Sequence, residues 1–106
     1  MIDLNKLSTE AYIVAKKREK NGAFIQTEPI SILKHSAGEV MEATEAYCDF
    51  VYEMTDEYEE KFQDEVADIM VCCLIMSGYM QFDIEKAINR VMEKNRLRAE
   101  KQGDKL

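Results

Sequence analysis

The sequence predicts an all-α chain, a compact four-helix bundle-like domain, and three observations carry that prediction. Punctuation is sparse: Pro29 is the sole proline and the four glycines, Gly22, Gly38, Gly78 and Gly103, are scattered, so the closely spaced turns of an all-β fold are missing. Apolar residues recur at spacings of three and four rather than two, the period of a helix with one buried side. Four such stretches fit in 106 residues with short connections, which leaves room for one hydrophobic core and one domain, 1–106.

The first helix runs from roughly Asp3 to Lys20, with Ile2, Leu4, Leu7, Ala11, Val14 and Ala15 on its apolar side and Asn21-Gly22 as its stop. A loop through Gln26 follows. Thr27-Glu28-Pro29 reads as a helix start, since a proline in the first turn forfeits no hydrogen bond. The second helix extends to about Met54, with Leu33, Val40, Thr44, Tyr47 and Val51 as its apolar stripe, flanked by Ala37, Ala43 and Phe50. Asp56-Glu57-Tyr58-Glu59 has the acidic cap and following Glu of a capping box and opens a third helix ending at Gly78 or Met80. Asp83 caps a fourth, which carries Ile84, Ala87, Ile88, Val91 and Met92 toward the core and continues to about Glu100.

With 21 acidic residues against 14 basic ones, the formal charge is -7. A chain so acidic lacks the broad basic footprint that gathers polymeric nucleic acid. A small phosphate ester is still compatible, because a divalent cation bridges carboxylates and phosphate oxygens. Cys48, Cys72 and Cys73 contain no CxxC pair and imply no disulfide framework; Cys72 and Cys73 read as core. The longest uncharged apolar run, Ile69 to Tyr79, is too short to span a bilayer, so no membrane association and a cytoplasmic location are expected. There is no P-loop, dinucleotide fingerprint or serine-nucleophile motif.

The third helix carries the chemistry. Asp68 is the only charged residue between Val66 and Met76, and a carboxylate buried in such a run costs several kcal/mol unless something compensates it. Glu65 precedes it by three positions and shares its face of the helix. The second helix offers a matching pair, Glu39 and Glu42. Antiparallel packing of the two helices would bring four carboxylates together, an all-oxygen set suited to Mg²⁺, with Mn²⁺ as the alternative. Such a set is expected to supply the metal ligands. The competing reading, Asp68 paired to a core Lys, Arg or Tyr, needs no metal. His35, the only histidine, lacks the Glu-x-x-His partner of a di-iron bundle and reads as a partly exposed helix residue. The cluster Lys16, Lys17, Arg18 and Lys20 reads as a solvated helix end.

Glu39-x-x-Glu42, a gap of 22 residues and Glu65-x-x-Asp68 resemble the ExxE…ExxD signature of the MazG-like, all-α nucleotide pyrophosphohydrolases. The stretch Gly38 to Tyr47 is similar to that family's SExxEALEAY segment, and Glu65 to Ile69 to its ELADI. Glu19-Lys20-Asn21-Gly22-Ala23-Phe24 resembles an EKGF element. Lys94 to Arg98 and Gln102 to Lys105 resemble the closing N-x-x-R…HG-x-K segment, although Val91, Ala99 and Gln102 stand where the family often has Lys, Pro and His.

The resemblance implies Mg²⁺-dependent hydrolysis of a nucleoside triphosphate to the monophosphate and pyrophosphate, with Glu39, Glu42, Glu65 and Asp68 as metal ligands and catalytic carboxylates. It also implies that Asn95 and Arg98, with Lys94 beside them, serve substrate phosphates, and that the chain forms a homodimer or homotetramer. Arg98 suits phosphate through its planar fork, and Asn95 and Arg98 extend the Ile88–Val91 stripe, which places them on the core side. Two other readings remain: a non-catalytic helical dimerisation or regulatory module that keeps the fold, and a phosphoribosyl-ATP or dUTP-type pyrophosphohydrolase.

Overall fold

A computed structural model describes residues 1–22 and 27–103. The expected loop through Gln26, together with Ala23, Phe24, Asp104 and Lys105 of the resembling segments, lies outside the described residues. Four helices follow one another: α1 Leu4–Lys20, α2 Pro29–Glu53, α3 Asp56–Met80 and α4 Ile84–Lys101. No strand occurs among the described residues.

The helix ends follow from local chemistry. Asp3 caps α1 by accepting from the Lys6 amide, and Asp83 caps α4 by accepting from the Lys86 amide. Pro29 takes the first position of α2. The cap of α3 is Thr55, whose hydroxyl accepts from the Tyr58 amide at 3.3 Å, and not Asp56. The hydroxyl oxygen sits one residue earlier, which moves Asp56, Glu57 and Glu59 into the first turn, where their charge suits the helix dipole. Only Met54 and Thr55 separate α2 from α3, so the two helices run antiparallel.

α3 is the central element, packed on α2 along one side and on α1 along another. Ala15, Ile32, Cys72 and Ile75 form the core, with Ala11 and Met76 against them. Where α1 meets α3 the hydroxyl of Ser8 donates to the Leu74 carbonyl at 2.7 Å, and Ser77 donates to the same carbonyl at 3.0 Å. Gly78 lets the helices come this close: a Cβ there would stand 2.5 Å from the Ser8 carbonyl oxygen and 2.7 Å from Tyr12 Cβ. Gly78→Ala is therefore expected to destabilise the chain by about 1–3 kcal/mol, the range for overpacking, as read from urea denaturation. An unchanged midpoint would mean that the helices can separate without loss.

Three expectations about faces are corrected. On α2 the inward residues are Ile32, Ala43 and Ala46, with Ser36, Glu39 and Phe50 half-buried, whereas Leu33, Val40, Thr44, Tyr47 and Val51 are exposed, as is Ala37. The helix has two apolar stripes, and the stripe of small residues, which allows close approach to α3, is the one turned inward. On α1 the inward line is Leu4, Ser8, Ala11 and Ala15, while Leu7 and Val14, and Ile2 ahead of the helix, are exposed. On α4 no residue is buried, and Ile88, Val91, Met92, Asn95 and Arg98 are all exposed.

The bundle is open rather than compact, because α4 leaves α3 at 120° and lies against α1. Asn5 joins their starts: it donates to Asp83 at 2.9 Å and accepts from the Ile84 amide at 3.0 Å, while Glu85 accepts from the Leu4 amide at 2.9 Å. The radius of gyration is 16.5 Å, against about 13 Å for a closely packed domain of this length. No single described helix is long and apolar enough to cross a membrane.

Candidate metal centre

Glu39 stands on the inward line of α2, between Ser36 and Ala43, and is half-buried. Glu42, one turn on, is exposed at the edge of the same face. α3 runs back past them and presents Glu65, half-buried, and Asp68, exposed. One carboxylate oxygen from each of Glu39, Glu42 and Glu65 lies within 4.8 Å of the others. The structure thus brings together three of the four expected acids, with Asp68 at the margin: its charge acts on both Glu39 and Glu65, and it lines a cavity with Glu39.

The expected burial of Asp68 is corrected. Val66, Met70 and Val71 beside it are also exposed, and burial in this run begins only at Cys72. The buried oxygens belong instead to Glu39 and Glu65, whose Oε2 atoms have no hydrogen-bond partner. Burial raises the pKa of Glu39, and the charges of Glu42 and Asp68 raise it further against an opposing pull from His35. Burial likewise raises Glu65, followed by Glu42, Asp68 and Glu39. Among the described residues no Lys or Arg forms an ion pair with any of the four acids. Two orphaned buried oxygens among clustered carboxylates with no Lys or Arg partner fit a hard divalent cation.

His35 was not singled out as a working residue by its sequence context, yet its Nε2 lies 2.9 Å from Oε1 of Glu39. The signal was its position one turn before Glu39 on the same helix. A ring that holds a ligating carboxylate in place is worth about 10–100-fold in metal affinity. His35→Ala is accordingly expected to weaken Mg²⁺ by that factor, read from the cation concentration needed to raise Tm; an unshifted titration would leave His35 without a part in the site.

A cavity of about 440 Å³ opens beside the acids, lined by Arg18, His35, Glu39, Asp68, Val71, Cys72 and Ile75. Cys72 is buried in its floor, and burial raises its thiol pKa, which keeps it in the role of a small hydrophobe. Cys73, expected in the core, is exposed, since adjacent helix positions point 100° apart.

Lys94, Asn95 and Arg98 do not line that cavity. Lys94 and Arg98 border a larger cleft of about 930 Å³ whose walls are Asp83 and α4 residues alone. A cleft bounded by one helix and its cap is relief on a convex surface, so its size does not make it the site. Within one chain the basic face of α4 and the carboxylates occupy different places.

An all-helical fold whose antiparallel central pair gathers a carboxylate cluster defines the class to which this chain belongs. The family model of the MazG nucleotide pyrophosphohydrolase domain matches residues 27–102, and the chain belongs to that family. No curated protein and no solved structure matches the chain.

Proposed function

We propose that this chain hydrolyses a nucleoside triphosphate to the monophosphate and pyrophosphate at the α2–α3 carboxylates, with Mg²⁺, or Mn²⁺ in its place, held by Glu39, Glu42, Glu65 and Asp68. The observation that carries the proposal is the pair of buried, unpartnered Oε2 atoms of Glu39 and Glu65 in a chain of this family. Left as they are, those oxygens are a cost to the fold. Facing a cation they become ligands.

When bound, the metal offsets charge developing on the phosphate oxygens and increases the acidity of water. The chain's own part is positional. Glu39 and Glu65, half-buried, form the inner edge of the site, and His35 orients Glu39. Glu42 and Asp68, being exposed, face the side from which substrate arrives. Water adds its oxygen to phosphorus as the bond to the bridging oxygen breaks, the water proton passes to the carboxylate cluster, and pyrophosphate departs with the electron pair.

Lys94, Asn95 and Arg98 contact substrate phosphates in this proposal, from a neighbouring copy, since within one chain they lie on another surface. Support comes from the exposed line Leu33, Val40, Tyr47 and Val51 on α2, an apolar face of the kind that self-association covers. The partners are thus the nucleotide and further copies of the chain as a homodimer or homotetramer, with no polymeric nucleic acid or membrane; the expected location is cytoplasmic.

The test is a panel of ribo-, deoxy- and modified nucleoside triphosphates, including dUTP and phosphoribosyl-ATP, incubated with and without Mg²⁺ while pyrophosphate release is followed. Metal-dependent release that disappears in a Glu39→Gln/Asp68→Asn double variant is expected. A second reading, a non-catalytic module, draws on the distance between the α4 trio and the acids. It is favoured if the panel stays silent and Mg²⁺ leaves Tm unmoved.

A further inference from the structure

The cavity beside the carboxylates contains a cation that sequence reading assigned to a solvated helix end. Arg18 comes three positions after Ala15 on the line Ser8, Ala11, Ala15 by which α1 packs on α3, so its stem is carried along the helix interface toward the cavity. Its neighbour Lys16 is held by Glu19 at 3.3 Å. Arg18 enters no ion pair among the described residues, although Glu39 and Asp68 line the same cavity.

A guanidinium that shares a cavity with two acids yet pairs with neither keeps its donor fork available. The acids' charge belongs to a cation, and the complement of a cation-filled acidic site beside a free Arg is an anion that touches both. Arg18 also stands on a boundary. It lines the polar cavity and, with Val71 and Ile75, a second one of about 250 Å³ between α1 and α3, whose remaining walls are Leu7, Glu10, Ala11, Val14 and Ala15. An extended molecule with a polyanionic end matches that division. Arg18 lies on α1, ahead of the segment 27–102 that matches the family model.

We propose that Arg18 is a substrate-binding residue that grips phosphate oxygens of the nucleoside triphosphate at the mouth of the carboxylate cavity. The proposal rests on the pyrophosphohydrolase reading and adds to it a phosphate contact supplied by α1 of the same chain, separate from the α4 residues. The planar fork donates to two oxygens at once, and Arg18 holds the polyphosphate against the acid-lined wall.

The experiment measures binding of inorganic tripolyphosphate in Mg²⁺ by calorimetry, and KM and kcat for whichever nucleotide is hydrolysed, in the wild type, Arg18→Ala and Arg18→Lys. Arg18 is exposed, and the Mg²⁺-dependent rise in Tm, set by the carboxylates, serves as the control for folding and metal binding. Arg18→Ala is expected to raise Kd and KM about 10–100-fold, the worth of a hydrogen bond to a charged group. kcat should fall by less, and Tm should still respond to Mg²⁺. Arg18→Lys should recover part of the loss, since it returns the charge without the fork. If Arg18→Ala changes both constants by less than about twofold, the size expected of a solvated surface charge, Arg18 is a helix-end cation and the proposal falls. Arg18-dependent tripolyphosphate binding without turnover of any nucleotide would keep the phosphate contact and remove the hydrolase reading. No tripolyphosphate binding by the wild type would overturn the phosphate contact whatever the turnover.

Discussion

Glu39→Gln is expected to abolish Mg²⁺-dependent turnover and, in EDTA, to raise the stability of the chain. The two effects have one origin. Oε2 of Glu39 is buried without a partner, and burial, then Glu42 and Asp68, raise its pKa. An amide of the same shape removes the repulsion, so the metal-free fold gains; it also removes a charged ligand, so the metal-bound form loses more than the 10–100-fold that an outer partner is worth. The sign with pH follows. A carboxyl whose folded pKa exceeds its unfolded one binds more protons when folded, so stability is present at and below the ordinary glutamate value of 4.5 and is lost as pH rises through the raised value. Glu19, held low by Thr27, and Asp83, held low by the Lys86 amide, act in the opposite sense below their ordinary range. The interval from about pH 5 to 7 therefore separates the cluster from Glu19 and Asp83. In EDTA, Tm of the wild type should fall across it; Mg²⁺ should flatten the fall, and Glu39→Gln should show a weaker one. A Glu39→Gln protein that is less stable in EDTA, or still turns over, would sink the assignment.

The second large effect concerns assembly. Val40→Glu combined with Val51→Glu is expected to yield a monomer of 12.3 kDa where the wild type runs as a multiple of that mass in light scattering. The exposed stripe of α2 carries Leu33, Val40, Tyr47 and Val51, and charges in the middle of such a face are not tolerated inside a covered interface. Activity should fall with the mass. Two inactive proteins, Glu39→Gln and Arg98→Ala, should recover turnover when their subunits are exchanged, because one copy keeps the acids and the other the basic helix. A wild type that is monomeric at micromolar concentration, or mixtures that stay inactive, would count against both the interface and a phosphate role for α4 in trans.

Helix number, order and most limits were legible from caps, proline and the period of apolar residues. The carboxylate pairs were legible too, because a three-residue spacing fixes a shared face whatever the helix packs against. What escaped was which face turns inward. α2 has a bulky stripe beginning at Leu33 and a small one through Ala43 and Ala46, and hydrophobicity ranks the bulky one higher although close helix approach selects the small one. The same ambiguity placed Asp68 inside, although it sits on the exposed part of an apolar run whose buried part begins at Cys72. Arg18 was hidden among neighbouring cations and is distinguished only by its register with Ala15.

The clasp at Asn5 has a bearing on how the chain reaches this shape. It joins segments 78 to 81 positions apart, whereas α2 and α3 are linked by two residues, and loop closure favours short separations. The α2–α3 hairpin is then the part expected to form early, with α1 and α4 docking late. The four acids sit on that hairpin, so their mutual repulsion opposes the first long-lived contacts rather than the last. Mg²⁺ is expected to increase the refolding rate constant in stopped-flow measurements, and not only to slow unfolding, as befits an interaction already made in the transition state.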